Sequence, residues 1–215
     1  MTNSPLHRRL SARRRRLRYA TRRLLFVAAV SAVAASLVLA DRLGVFGRRP
    51  VGEREKYHGQ SFQVERVIDG DTIVLAVADG RHAATHVRLW GVDTPELENK
   101  RTGKRAGHFG PEASALTRRL CAGRTVTLEF EPNGRTRDKY DRLLAWVYLP
   151  DGRLLNQVLV EEGFGYADPR YDHHLKREFR RLQDQAVRDG RGLWEKVTEE
   201  DLPDYYKGKL KLPPR

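Results

Sequence analysis

The chain has 215 residues, 40% hydrophobic and 8% aromatic, which suits one ordinary domain with a core plus additional segments. Its net charge of +13 points to an acidic partner such as nucleic acid, but nine arginines and no acid fall in residues 1–23, leaving +4 for residues 24–215. A single cysteine, Cys121, excludes an internal disulfide and a cysteine-built metal cage.

The elements run as follows. Residues 1–23 form an arginine-rich segment, and "LLFVAAVSAVAASLVLA" (24–40) is an apolar run without charge. As a helix it would be roughly 26 Å long at ~1.5 Å per residue, slightly short of the ~30 Å hydrocarbon core. It exceeds the usual apolar region of a cleaved signal, about 7–15 residues. "TRRLLF" at Thr21–Phe26 resembles a twin-arginine export signal. Arginines before the run place residues 1–23 in the cytoplasm and the rest beyond the membrane. The expectation is a single-pass membrane anchor, with a secreted or periplasmic protein after signal cleavage as the alternative. Residues 41–59 read as a glycine-bearing, mixed-charge linker.

Residues 60–197 read as the folded domain. "SFQVERVI" (61–68) and "DTIVLAV" (71–77) are β-rich runs around a "DG" turn, and "THVRLWGV" (85–92) is a third strand. "PEASALTRRLCAG" (111–123) has proline at a first helical position and a closing glycine, so it predicts a helix with Cys121 buried near its end. "RTVTLEFEP" (124–132) and "RLLAWVYL" (142–149) are the fourth and fifth strands, and "LLNQVLVEEG" is a short helix stopped by Gly163. A last helix over 172–189 presents Leu175, Phe179, Leu182 and Ala186 as one stripe. Residues 198–215, proline-bearing and charged, read as an exposed C-terminal tail. The expected fold class is α+β, mainly β: a closed five-stranded barrel of the oligonucleotide-binding (OB-fold) type with helices, preceded by the apolar N-terminal helix.

Two acidic corners carry the chemistry. Asp69 and Asp71 sit in "DGDT", and Asp93, Thr94 and Glu96 end the third strand in "VDTPE". If these strands pair, the corners converge, and hard oxygen donors suit Ca²⁺ or Mg²⁺ rather than zinc. Either corner alone is explained by the preference of aspartate for turns. Arg88 leads into "VDTPE" and Arg142 opens the fifth strand, and guanidinium groups match phosphate oxygens bidentately. Phosphoryl transfer needs a cation, arginines where charge develops, and a base to aim water. His173 and His174 point in different directions on a helix, and the three tryptophans, Trp90, Trp146 and Trp194, read as packing.

The blocks "VIDGDTIVL", "VRLWGVDTPE", "FGPEASALT", "RDKYDRLLAWVY", "LLNQVLVEEGF" and "GRGLW" resemble the staphylococcal-nuclease-like (thermonuclease) family from about residue 60 to Trp194. The resemblance implies an OB-fold barrel and a Ca²⁺-dependent phosphodiesterase acting on DNA and RNA, leaving 3′-phosphate and 5′-hydroxyl ends. It implies Ca²⁺ ligands at Asp71, Asp93 and the Thr94 carbonyl, and a base or water-orienting carboxylate at Glu96. The phosphate-gripping arginines would be Arg88 and Arg142, and the neighbouring phosphate would be held by Lys139 and Tyr140. Asp141 departs from the family's glycine and sets an extra acid beside Arg142. The segment with Tyr166 and Tyr171 also differs from the family's tyrosine-rich one, which leaves both as candidate base-stacking residues. The alternative is a non-catalytic barrel that binds nucleic acid or protein. No protein partner is implied, and a monomer is expected.

Overall fold

The computed structural model of the chain describes residues 27–28, 30–36, 52–80, 82–98, 103 and 105–212. The chain divides into Met1–Val51 and Gly52–Arg215. In the first unit, residues 27–28 and 30–36 are helical, and the Ser36 hydroxyl donates to the Ala32 carbonyl at 2.8 Å. Among the described residues no helix is long and apolar enough to cross a membrane. The remainder of the expected 24–40 helix, and the arginine block before it, lie outside the described residues.

The second unit begins earlier than its sequence suggests. Gly52 to Gly59 had the look of linker, yet Glu53–Tyr57 is a helix (α1) whose Tyr57 is wholly buried, 5.6 Å from the Phe62 ring. A single aromatic in "EREKY" makes no periodic pattern, so only the tertiary contact reveals it. The strands β1 (Gln60–Val67), β2 (Thr72–Leu75), β3 (Thr85–Leu89), β5 (Thr125–Glu129) and β6 (Leu143–Tyr148) close a barrel in the order β1-β2-β3-β6-β5. All neighbours are antiparallel except β3 and β6, which run parallel. β1 serves both halves: Gln60–Gln63 pair with β5 and Val64–Val67 with β2, across an irregularity between Val64 and Arg66. Such a bulge bends a strand sharply enough to turn one sheet into the other.

The helix α2 (Gly110–Cys121) starts with Pro111 in its first turn and buries Ala113, Leu116, Thr117 and Cys121. α3 (Leu155–Glu161) packs on β6 and on α4 (Lys176–Asp189), whose buried face holds Phe179, Leu182, Ala186 and Val187. α4 starts at Lys176 rather than at 172, with Leu175 as its N-terminal cap residue, so Leu175 is only partly buried. A short pairing absent from the sequence reading joins β4 (Val92–Asp93) to β7 (Tyr166–Ala167), opposing Asp93 to Tyr166.

The core lies inside the barrel and continues beneath α3 and α4 around Trp146 and Phe179. A second cluster gathers Tyr166, Trp194, Val197 and Leu202, with Tyr206, Leu210 and Leu212 against it. Over the described residues 198–212 this corrects the reading of an exposed tail, and residues 213–215 lie outside the described residues. Leu202, Tyr206 and Leu210 recur every fourth residue and bury one side of the segment, a pattern diluted by the charges between them. Trp194 belongs to this cluster and meets the Tyr166 ring edge-on at 5.4 Å.

Candidate active site

The two acidic corners meet because a glycine lets them. Asp69 accepts from the Asp71 amide at 3.1 Å, which tightens the turn between β1 and β2. A side chain on Gly70 would stand 2.6 Å from the Thr94 hydroxyl, so only glycine allows the second corner to lie against the first. The Gly70 carbonyl is then taken by the Thr117 hydroxyl of α2 at 2.6 Å. Asp71, 1% exposed, accepts at Oδ2 from the Thr94 amide (2.7 Å) and hydroxyl (3.0 Å), and at Oδ1 from the Thr72 hydroxyl (3.1 Å).

Arg88 joins the corners. Its guanidinium ion-pairs with Asp71 Oδ1 through Nη1 and with Asp93 Oδ1 through Nη2, while Nη2 also reaches the Val92 carbonyl at 3.3 Å. Asp71 and Asp93 therefore converge within the span of a single guanidinium. Asp93 Oδ2 accepts from the Tyr205 hydroxyl at 2.7 Å and from Arg170 Nη2 at 3.1 Å. Burial, then the adjacent Asp93 charge, pushes the Tyr205 hydroxyl above its usual range, so it stays a donor. Burial raises the Asp69 carboxyl despite Arg88 beside it.

Arg142 is held differently. Its Nε and Nη2 grip Asp138 Oδ2 at 2.8 and 2.7 Å, its amide binds Asp138 Oδ1 at 3.0 Å, and Nη1 lies 3.4 Å from the Thr72 hydroxyl. Burial works to raise the Asp138 carboxyl, but the Arg142 contacts prevail and hold it below the usual carboxylate range. Asp141 adopts the left-handed backbone (φ 65°) that its glycine counterpart would favour. Its carboxylate is 74% exposed and 3.6 Å from Arg137, so the extra acid is paired away from Arg142.

A cleft of about 500 Å³ opens over these groups, lined among others by Arg88, Asp93, Glu96, Lys139, Tyr140 and Arg142. Asp71 and Thr94 lie buried behind its wall. Glu96 is exposed at the mouth, its carbonyl accepting from the Gly107 amide at 2.9 Å. Tyr140 stands 67% exposed, with Lys139 Nζ 4.9 Å and the Arg142 guanidinium 5.4 Å from its ring. Tyr171 lines the cleft between the guanidinium groups of Arg135 (5.2 Å) and Arg170 (5.8 Å), whereas Tyr166 is buried in the second cluster away from it.

The remaining candidates are structural. His173 is buried between Trp146 and Phe179, and burial lowers its imidazole to about 4. His174 Nδ1 lies 2.7 Å from Glu131. Burial pushes the Cys121 thiol up to about 12, which leaves it protonated and inert. Sequence reasoning missed Asp138, Asp168, Arg170 and Tyr205. Asp138 and Arg142 stand four apart inside "RDKYDR", a visible signal, but Tyr205 lay in a segment read as tail.

The donors at the corners are hard oxygens alone: two carboxylates and the Thr94 backbone. That set fits a hard divalent cation completed by water and substrate. Among the described residues no group of three or more His, Cys, Asp or Glu side chains is placed to hold a metal ion.

A closed five-stranded barrel bearing convergent carboxylates and arginines in one cleft defines an OB-fold enzyme. The family described as "Staphylococcal nuclease homologue" matches residues 86–196. The chain is 35% identical over 137 residues to an "Uncharacterized endonuclease" of Escherichia coli, covering 64% of this chain and 76% of that one. It is 35% identical over 138 residues to the thermonuclease of Staphylococcus hyicus (63% and 76% covered), and 36% over 144 to that of Staphylococcus intermedius (64% and 78%). The chain belongs to the staphylococcal nuclease family and is a nuclease-type hydrolase.

Proposed function

We propose that this protein is a Ca²⁺-dependent endonuclease that hydrolyses phosphodiester bonds of DNA and RNA outside the cytoplasm and leaves 3′-phosphate ends. The observation that carries this reading is the single Arg88 guanidinium contacting both Asp71 and Asp93, which draws the two carboxylates to one point. The cleft is lined by five basic side chains (Arg88, Arg135, Lys139, Arg142, Arg170) and five acidic ones (Asp69, Asp93, Glu96, Asp138, Asp168). By itself such a surface has no net attraction for a polyanion, and a divalent cation supplies what it lacks.

Asp71, Asp93 and the Thr94 carbonyl are the residues that would hold Ca²⁺, which when bound places positive charge against a non-bridging phosphate oxygen. Arg88, on β3, and Arg142, just before the neighbouring β6, both line the cleft and stabilise charge as it builds on the phosphate. Glu96, at the mouth, orients water for in-line attack and takes its proton. Lys139 and Tyr140, on the exposed turn before β6, hold the adjacent phosphate. By the arginine block and apolar run ahead of it, we place the domain beyond the cytoplasmic membrane, anchored by residues 24–40.

The test is digestion of plasmid and of RNA by the full chain with Ca²⁺ or with chelator, followed by phosphatase-sensitive labelling of the new ends. Loss of cleavage in chelator and 3′-phosphate products are expected. Undiminished cleavage in chelator rejects the cation.

A further inference from the structure

The family match ends at residue 196, yet the chain continues into the site. Residues 198–212 are anchored by Leu202, 2% exposed, and by Tyr206, whose hydroxyl donates to the Ala167 carbonyl and accepts from Gln183 Nε2 at 3.1 Å. With Tyr206 turned into the second core, Tyr205 projects toward the cleft side. Its ring lies 4.3 Å from the Arg170 guanidinium, and its hydroxyl donates to Asp93 Oδ2 at 2.7 Å. Arg170 donates to the same oxygen at 3.1 Å and is itself fixed by Asp168 at 2.8 and 2.7 Å.

We propose that Tyr205 and Arg170 are positioning residues of the reaction site: together they hold Asp93 Oδ2 so that Oδ1 faces Asp71 and the cation. The inference rests on the cation reading given above. A carboxylate rotates over a broad torsional well, and two donors on one oxygen narrow it. Asp93 lies only 20% exposed, so water is a poor substitute for either donor. Partners behind a metal ligand are worth about 10- to 100-fold in metal affinity. The segment read as a tail thus completes the active site from outside the barrel.

The test is calorimetric titration of Ca²⁺ into the full chain, with nuclease activity read across the same Ca²⁺ range. Tyr205→Phe and Arg170→Gln should each raise the Ca²⁺ dissociation constant, and the Ca²⁺ needed for half-maximal activity, about tenfold or more, while Tyr206→Phe shifts both by less than about twofold. Tyr206→Phe removes a hydroxyl anchoring the same segment, so equal effects from Tyr205→Phe and Tyr206→Phe mean a structural role and overturn the proposal. Arg170 is 42% exposed and its replacement keeps the test open should Tyr205→Phe not fold. Parental affinity in both Tyr205→Phe and Arg170→Gln overturns the clamp alone. A parent chain that takes up no Ca²⁺ overturns the cation reading and the clamp with it.

Discussion

Arg88, Arg142 and Arg170 are each met by carboxylates at the site, and the partners differ in what they leave available. Arg88 ion-pairs with buried Asp71 and partly exposed Asp93, while Arg142 is gripped side-on by Asp138 and keeps Nη1 toward Thr72. Two guanidinium nitrogens on the one oxygen, Asp138 Oδ2, orient Arg142 more sharply than a single hydrogen bond does. Asp138→Asn keeps the shape but removes the charge that aims Arg142. A loss of about ten- to a hundredfold in kcat/KM is expected in steady-state assays, because small misplacement of a catalytic group is costly. Glu96→Ala should lose at least about a hundredfold in kcat if Glu96 handles the proton. Near-parental rates in Glu96→Ala would remove it from the mechanism.

The turn joining β1 to β2 and the end of β4 act as one element. Gly70 lets Thr94 approach, Thr94 donates twice to Asp71, and the β4–β7 pair keeps Asp93 in line with them. Gly70→Ala would put its Cβ within 2.8 Å of three Thr94 side-chain atoms, so the corners must part. Urea denaturation should register a loss of about 1–3 kcal/mol, the cost typical of overpacking a tight contact. Activity should fall with it, since the Asp71–Thr94 bonds are the first to break. A variant with parental stability would mean that the corners are not in register through this contact.

At the scale of the whole molecule, charge is unevenly divided along the chain. The arginines of residues 1–23 carry nine of the thirteen net charges, and the domain that follows is only mildly basic. That partition suits an N-terminal address more than a nucleic-acid track, since a polyanion-binding surface would carry its excess near the cleft. Fractionation of cells expressing the full chain should leave the protein in the membrane pellet after alkaline carbonate washing. Recovery in the soluble fraction with a mature N-terminus near Asp41 would replace the anchor with a cleaved signal.

The barrel strands, α2, α3 and the type of the last helix could be read from short periodic runs and turn residues, because each is dictated by its own neighbours in sequence. Seven of the eight proposed site positions fall in "RLWGVDTPE" and "RDKYDR", which each pack several candidate groups into one short stretch, and the eighth, Asp71, falls in "DGDT". What no local pattern carried was partnership at a distance. Tyr57 in α1, the pairing of Asp93 with Tyr166, the grip of Arg170 on Asp93 and the arrival of Tyr205 from more than a hundred residues away all depend on burial between segments remote in the chain. The same holds for Asp141, whose sign suggested interference with Arg142 until its left-handed backbone aimed it at Arg137. Residue type sets which chemistry is possible; which oxygen faces which donor is settled only when the chain closes on itself.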